Sequence, residues 1–344
     1  MGNPFSLSFG KEPLNLISRE KLMGEIIEGF TAENPEYQVA MVTGVRGSGK
    51  TVFMTEVASR LKEQKEWIVT ELSPERDLLH ALAAELGHRK ELLQIFKDVK
   101  INLSAFGFGI EIESEPPITD VVVALDRVLE SLTKKKKKVL ITVDEAVSNQ
   151  YVREFTSQFQ IFMRKNYNIF LLMTGLYDNI YELQNQKTLT FLYRAPKFEM
   201  TPLNSILVEK NYKSVFGIPS EEARAMAETV KGYPYAYQVL GYLCYKRGAS
   251  YDKVLDEFDA YLGEYVYEKI WSEMSPKDKL VAVALGRSET GKVEDIRKRA
   301  EMKSEEFSVY RKRLLNKGIV FSPGYGYLEF VLPRFKEYID MNEI

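Results

Sequence analysis

Apolar residues follow two different patterns along the first part of the chain. Short apolar runs at 39–43, 67–72, 139–143 and 169–173 predict buried β-strands, and 197–200 is predicted to be the last strand. Between them, apolar residues spaced three and four positions apart predict helices at 21–30, 52–58, 78–86, 90–96, 121–132 and 151–165. Alternating residues at 99–113 predict an inserted β-hairpin. Strands that alternate with helices predict a parallel sheet with helices on both faces, which is a three-layer α/β domain.

The strand signal stops after Pro202 and helical spacing takes over. Residues 204–262 are helical in pattern, with breaks at 217–219 and 232–234, and predict a small helical domain. Three more helices are predicted at 275–285, 293–300 and 304–317, followed by two apolar segments that flank a turn at 322–326. Three helices and a hairpin are typical of a winged helix-turn-helix. We therefore expect three domains, at 1–201, 202–269 and 270–344.

A phosphate-binding loop follows the first predicted strand. The motif G-x-x-x-x-G-K-[ST] is matched by Gly44, Val45, Arg46, Gly47, Ser48, Gly49, Lys50 and Thr51, with Val52 opening the helix. Backbone N–H groups of such a loop and the helix N-terminus hold phosphate oxygens. We expect these nine residues to bind ATP or ADP, with Lys50 reaching the β- and γ-phosphates and Thr51 holding Mg²⁺. The alternative is an ordinary glycine-rich turn.

Two acidic residues directly follow the buried strand at 139–143. Asp144 is expected to hold Mg²⁺, and Glu145 to orient and polarise the attacking water. The alternative is that both residues only cap the next helix. An Asp-Glu pair at this position favours an ATPase over a small kinase. A kinase would also need a second substrate pocket and an arginine-rich lid, and the sequence has no clear candidate for either.

Two further residues are candidates for the chemistry. Thr174 ends the strand beside Asp144 and Glu145, where its hydroxyl could bind the γ-phosphate or the water. Arg194 precedes the last strand and could stabilise transition-state charge, within one subunit or across a subunit interface. The alternatives are a turn residue and a surface arginine.

Together these residues resemble the AAA+/STAND superfamily of P-loop ATPases, and within it the prokaryotic archaeal-type and origin-recognition-like ATPases. The resemblance covers nearly the whole chain and implies an AAA+ core, a helical lid domain and a C-terminal winged helix. In STAND relatives a Gly-x-Pro near the nucleotide reports its state, and Gly232 and Pro234 match it. The resemblance therefore adds Pro234 to the expected nucleotide-binding residues.

Two departures from the family pattern refine this resemblance. The family has an N-terminal sequence motif that lies near the adenine of the nucleotide. It corresponds to residues 17–20 here, where Ser18 stands in place of the usual glycine. The arginine sensor that other AAA+ groups carry in the helical domain has no clear counterpart. This difference favours the switch-like branch of the superfamily over the ring motors.

Composition limits the other kinds of site. The net charge of −2 gives no general attraction to nucleic acid, so a basic site would have to be local. The lysine run at 134–138 lies between a helix and a buried strand and is interpreted as a solvated turn rather than a nucleic-acid patch. Cys244 is the only cysteine in the sequence, which argues against a disulfide within the chain. With only two histidines, His80 and His88, a structural zinc site is also not expected.

The second and third helices of the predicted winged helix have mixed charge. Glu305 and Glu306 occupy the first turn of the expected recognition helix, where they would repel phosphate. Duplex DNA and a protein partner are therefore nearly equal alternatives, with DNA slightly favoured. Eight basic residues stand against five acidic ones: Arg297, Lys298, Arg299, Lys303, Arg311, Lys312, Arg313 and Lys317, against Glu294, Asp295, Glu301, Glu305 and Glu306.

The pattern as a whole predicts a cytoplasmic protein, since no apolar run is long enough for a membrane span and the N-terminus lacks signal-peptide regions. We expect a slow Mg²⁺-dependent ATPase that couples its nucleotide state to DNA through the winged helix. The alternative is a STAND-type signalling switch, in which ATP/ADP exchange drives homo-oligomer formation or partner docking with little turnover.

Overall fold

A computed structural model describes residues 2–8, 13–98 and 120–342. By their contacts the residues group into two compact units. The sheet unit comprises Glu20–Thr43 and Lys50–Glu199, and the helical unit comprises Met1–Arg19, Gly44–Gly49 and Met200–Ile344. The hairpin predicted at 99–113 lies outside the described residues.

The sheet unit contains a five-stranded parallel sheet. Its strands pair in the order β2-β3-β4-β1-β5. All five correspond to predicted strands, whereas the short helix α7 was not predicted. The strands are β1 (Val39–Thr43), β2 (Trp67–Leu72), β3 (Lys138–Val143), β4 (Ile169–Gly175) and β5 (Lys197–Glu199). The helices are α1 (Glu20–Thr31), α2 (Lys50–Lys62), α3 (Leu78–Gly87), α4 (Leu93–Asp98), α5 (Val121–Lys134), α6 (Gln150–Arg164) and α7 (Tyr177–Gln184), with 3₁₀ turns at Lys90–Leu92 and Thr190–Arg194.

Alternate residues of the central strands face opposite sides of this sheet. On one face, Leu171 and Met173 join a buried cluster with residues of α3, α5 and α6. On the other face, Phe170 packs on Phe30 of α1, with ring centroids 5.4 Å apart. Because both faces are covered, the strands have continuous apolar runs instead of an alternating pattern. The predicted three-layer α/β fold is confirmed for this unit.

Among its described residues, the helical unit contains nine α-helices, a 3₁₀ turn at Tyr251–Val254, a π-helical turn at Gly263–Tyr267 and two short strands. The predicted breaks are real, because Gly217 ends α8 in a left-handed conformation and Pro234 opens α10. The short helices α12 and α16 were not predicted. The elements are α8 (Ser205–Phe216), α9 (Ser220–Val230), α10 (Pro234–Arg247), α11 (Leu255–Leu262), α12 (Glu268–Glu273), α13 (Pro276–Gly286), α14 (Val293–Arg299), α15 (Ser304–Asn316) and α16 (Phe335–Asn342), with β6 (Val320–Phe321) antiparallel to β7 (Glu329–Phe330).

One buried cluster extends through the helical unit. It begins at Phe5, includes residues of α8–α11 and α13–α15, and reaches Ile339 of α16. Phe5 occupies the space that a side chain on Gly241 would need, and its ring is 5.6 Å from that of Tyr237. Residues on both sides of the boundary predicted at 269/270 therefore share a core. The division into 202–269 and 270–344 stays a prediction.

In the described part of the chain, no helix has the length and apolar character needed to cross a membrane.

Candidate functional site

The phosphate loop connects β1 to α2. Gly44–Gly49 belong to the helical unit by their contacts, and Lys50 and Thr51 open α2 in the sheet unit. Gly47 and Gly49 have φ of 72° and 85°, a left-handed conformation that residues with side chains rarely adopt. Ser48 packs against Gly44, where a side chain would collide with the Ser48 hydroxyl. These glycines are thus required by the shape of the loop.

Three predicted site residues of the sheet unit meet in one cluster. Thr51 Oγ1 donates a hydrogen bond to Asp144 Oδ2 at 2.6 Å, and the fully buried Thr174 donates its hydroxyl to Asp144 Oδ1. Thr174 was predicted to bind a phosphate or a water, whereas here its partner is the carboxylate. We name Thr51, Asp144 and Thr174 the acidic cluster.

Glu145 has an unusual backbone conformation beside this cluster. Its φ is 51°, in the left-handed region that is strained for a residue with a side chain. Its backbone N–H lies 3.0 Å from Asp144 Oδ1 and 3.3 Å from Thr174 Oγ1. Glu145 itself is exposed. The turn thus directs the Glu145 side chain outward while its amide contacts the acidic cluster.

The capping alternative for the two acids does not hold. Helix α6 begins at Gln150, and its N-cap is Asn149, whose side chain accepts a hydrogen bond from Val152 N at 2.9 Å. Asp144 and Glu145 lie several residues earlier and do not cap this helix.

In the helical unit, the first half of the phosphate loop is held by residues near α10 and α12. The Tyr233 hydroxyl donates to the carbonyl of Arg46, and Tyr235 N donates to the carbonyl of Gly47 at 3.2 Å. The Arg46 guanidinium forms two hydrogen bonds with Glu273, of 2.8 Å and 3.3 Å. The sequence pointed to Gly232 and Pro234, but it carried no signal for Tyr233 or Glu273 as contacts of the loop.

The other predicted nucleotide-binding residues of the helical unit lie along the same loop. Pro234 Cβ is 3.7 Å from the position that a Cβ on Gly49 would take, and a nitrogen of Arg19 is 3.8 Å from it. Val45 is buried in the core of the helical unit.

The remaining predicted residues belong to the sheet unit. Lys50 is buried at the first position of α2, and Val52 follows in the same helix, half-buried. Arg194 ends a 3₁₀ turn, is exposed, and is not part of the acidic cluster.

The oxygens of the acidic cluster suit a hard divalent cation. Mg²⁺ prefers oxygen ligands and is commonly bound by one or two carboxylates together with phosphates and water. Thr51 and Asp144 supply a hydroxyl and a carboxylate that lie 2.6 Å apart. Within the described ranges, no group of three or more His, Cys, Asp or Glu residues could hold a metal ion.

Much of the basic charge predicted for the C-terminal helices is paired inside the helical unit. Glu306 also forms an ion pair, with Lys277. Exposed apolar side chains lie nearby in the chain, with Val309 on α15 and Tyr325 in the β6–β7 turn. The intramolecular pairs of the eight predicted basic residues include Lys298–Glu294, Arg299–Asp295, Arg313–Asp278 and Lys317–Asp278.

Two family models match separate parts of the chain. Residues 17–175 match an ATPase domain that occurs predominantly in Archaea. Residues 264–339 match a domain of unknown function (DUF8462). No curated protein sequence matches the chain significantly.

Solved structures share the fold over nearly the full length. A Walker-type ATPase of Pyrococcus abyssi is 16% identical with a TM-score of 0.65, over 94% of this chain and 96% of that one. The ORC2 protein of Aeropyrum pernix, solved in ADPNP–ADP complexes, is 13% identical with a TM-score of 0.59, over 97% and 96%. At these identities the likeness concerns the fold. The first family match confirms the resemblance to archaeal-type P-loop ATPases for residues 17–175.

Proposed function

We propose that the protein binds ATP with Mg²⁺ and hydrolyses it, because residues 17–175 match an ATPase domain that occurs predominantly in Archaea. The acidic cluster carries the proposal. In it, one carboxylate accepts hydrogen bonds from the first turn of α2 and from the end of β4. A carboxylate held in this way beside a phosphate loop is what a magnesium nucleotide requires.

The loop residues and the start of α2 would bind the triphosphate. Backbone N–H groups of Gly44–Gly49, Lys50, Thr51 and Val52 would bind phosphate oxygens, and the Lys50 ammonium would neutralise the β- and γ-phosphates. Pro234 would contact the nucleotide from α10, beside Gly49.

Thr51 and Asp144 would hold the metal ion, directly or through water. When bound, Mg²⁺ neutralises charge on the β- and γ-phosphate oxygens. Thr174 would orient Asp144 through its hydrogen bond to one carboxylate oxygen, and the other oxygen accepts the hydrogen bond from Thr51.

Two further residues would act on the reaction itself. Glu145 would orient the attacking water and accept its proton, since its carboxylate follows Asp144 directly and is exposed. Arg194 would stabilise charge that develops on the γ-phosphate, within one subunit or across the interface of a homo-oligomer.

We further propose that residues 202–269 act as a lid and 270–344 as a winged helix that couples nucleotide state to duplex DNA. Three successive helices, α13 to α15, followed by the antiparallel pair β6–β7 support this assignment. Lys303 directly precedes α15 and Lys312 lies within it. Both side chains are exposed and would contact DNA phosphates.

The test is the steady-state rate of phosphate release at several salt concentrations, with and without duplex DNA. Glu145→Gln provides the blank. A rate that DNA increases, with an increase that disappears as salt screens phosphate contacts, supports DNA coupling. A rate above the blank that DNA does not change keeps the ATPase and rejects the coupling. A rate at the blank level under all conditions rejects the ATPase.

A second candidate is a nucleotide switch that docks a protein partner with little turnover. Two observations favour this candidate. Basic side chains of α14 and α15 are paired with acidic residues, and Val309 and Tyr325 are exposed, so the surface of these helices and the β6–β7 turn is less basic and more apolar than the sequence suggested. This candidate predicts tightly held ADP and ATP-dependent association, measured by light scattering at matched protein concentrations. A monomer in both nucleotide states would contradict self-association.

A further inference from the structure

Two consecutive carbonyls of the phosphate loop accept hydrogen bonds from the start of α10. Tyr233 reaches the Arg46 carbonyl with its hydroxyl, and Tyr235 reaches the Gly47 carbonyl with its backbone N–H. In a trans peptide the carbonyl and the following N–H point in opposite directions. Holding the Arg46 carbonyl toward Tyr233 therefore directs the Gly47 N–H away from Tyr233, as a loop that binds phosphate through N–H groups requires.

The position of Tyr233 is itself tightly determined. The preceding Gly232 has φ of 67°, and its carbonyl accepts a hydrogen bond from Leu203 N at 2.7 Å. A Cβ on Gly232 would overlap the Leu203 backbone, so only glycine fits there. Burial raises the pKa of Tyr233, so its hydroxyl stays protonated and remains a donor. Gly47 leaves the room that this hydroxyl needs.

A second contact holds the same segment through its side chain. Arg46 Nη2 is 2.8 Å from Glu273 Oε1, and Lys269 Nζ is 3.4 Å from the same oxygen. Burial by itself would raise the pKa of Glu273, but hydrogen bonds and charge from Arg46 and Lys269 outweigh it and lower the pKa. Glu273 is thus ionised at neutral pH. It ends α12, just before Ser275 caps α13.

We propose that Tyr233 is a positioning residue that holds the Arg46–Gly47 segment in its phosphate-binding conformation, with Glu273 supporting the same segment through Arg46. The inference rests on the proposed nucleotide binding. Tyr233 touches no reacting atom, so its effect is on affinity for nucleotide rather than on the chemical step. By linkage, nucleotide binding would stabilise the contacts of α10 and α12 with the loop to the same extent.

Tyr233→Phe tests this, with Tyr212→Phe as the matched control. Tyr212 is also fully buried in the helical unit and also donates its hydroxyl to a backbone carbonyl, that of Tyr237, at 2.8 Å. Both variants lose one hydrogen bond from a buried tyrosine to a backbone carbonyl, and they should melt at similar temperatures without nucleotide. Calorimetric titration with ADP should give a Kd raised about fivefold to tenfold by Tyr233→Phe and nearly unchanged by Tyr212→Phe. Steady-state kinetics should show a raised KM with a smaller change in kcat.

Equal affinities in the two tyrosine variants would overturn the inference while leaving the proposed function intact. A wild-type protein that binds no ADP would instead refute the proposed function. A double-mutant cycle gives an independent measurement should Tyr233→Phe fold poorly. Glu273→Gln should change the ADP Kd about threefold when Arg46 is present and have little effect in an Arg46→Met background. The same change in both backgrounds would contradict the role of the pair.

Discussion

Thr51 Oγ1 lies 2.6 Å from Asp144 Oδ2, and this hydrogen bond joins the first turn of α2 to the end of β3. The same carboxylate accepts a second hydrogen bond from Thr174 at the end of β4. Parallel pairing brings these ends together, because Val143 and Met173 are paired in register immediately before Asp144 and Thr174. The orientation of Asp144 is therefore set by protein groups on two sides.

Asp144→Asn should reduce ATP turnover by about 100-fold or more, since an amide cannot replace the carboxylate that neutralises a metal ion. ADP binding without Mg²⁺ should change little, because the loop and Lys50 are intact. Phosphate release and calorimetry, each with and without Mg²⁺, measure the two effects.

Asp126→Asn is the matched control for this change. Asp126 also lies in the sheet unit and accepts hydrogen bonds from Lys165 and Tyr167, but it is not part of the acidic cluster. The Asp126→Asn variant should turn over ATP at nearly the wild-type rate. Normal turnover in Asp144→Asn would show that another group holds the metal.

Glu145→Gly should abolish turnover and increase stability. Glycine adopts the left-handed conformation of position 145 without strain, which should raise the free energy of unfolding by about 1 kcal/mol. Lys136→Gly is the control, because Lys136 has φ of 56° in a turn of the same unit and no expected chemical role. It should gain similar stability and keep its turnover. A loss of stability in Glu145→Gly would show that the side chain contributes more than the strain costs.

The strands and the residues of the acidic cluster could be predicted from the sequence because they depend on local patterns. Continuous apolar runs identify strands buried on both faces, and parallel pairing places Asp144 beside Thr174. The hydrogen bond between these two residues was not predicted, since a threonine at a strand end suits a phosphate, a water or a carboxylate equally well.

The support of the phosphate loop could not be derived from the sequence. Tyr233 is 187 positions from Arg46, and Glu273 is 227 positions from it. Such contacts depend on how α10 and α12 pack in the helical unit, and no periodicity records that packing. The same limit applies to Arg313 and Lys317, which pair with the distant Asp278. The pairs Lys298–Glu294 and Arg299–Asp295 are different, because their i,i+4 spacing within α14 is visible in the sequence.

Cys244 should be unreactive in the folded protein. It is 5% exposed in the core of the helical unit, and burial raises the pKa of its thiol to about 12. The thiolate, which is the reactive form, is therefore scarce below that pH. Ellman's reagent at pH 8 should react within seconds in denaturant and only as fast as unfolding without it. Because the pKa is raised on folding, the associated stability is present at neutral pH and is lost as the pH rises above about 9. Rapid stoichiometric reaction of the native protein would contradict the burial of Cys244.

Asp278→Asn should destabilise the helical unit. Asp278 is completely buried, completes a capping box with Ser275 at the start of α13, and forms ion pairs with Arg313 at 3.5 Å and Lys317 at 3.9 Å. Neutralising it removes its charge-assisted contacts with Arg313 and Lys317, which should cost about 1–3 kcal/mol. Asp340→Asn, an exposed change on α16, should be neutral within about 0.5 kcal/mol. Urea unfolding followed by circular dichroism measures both, and equal midpoints for the two variants would show that the buried carboxylate does not stabilise the contact between α13 and α15.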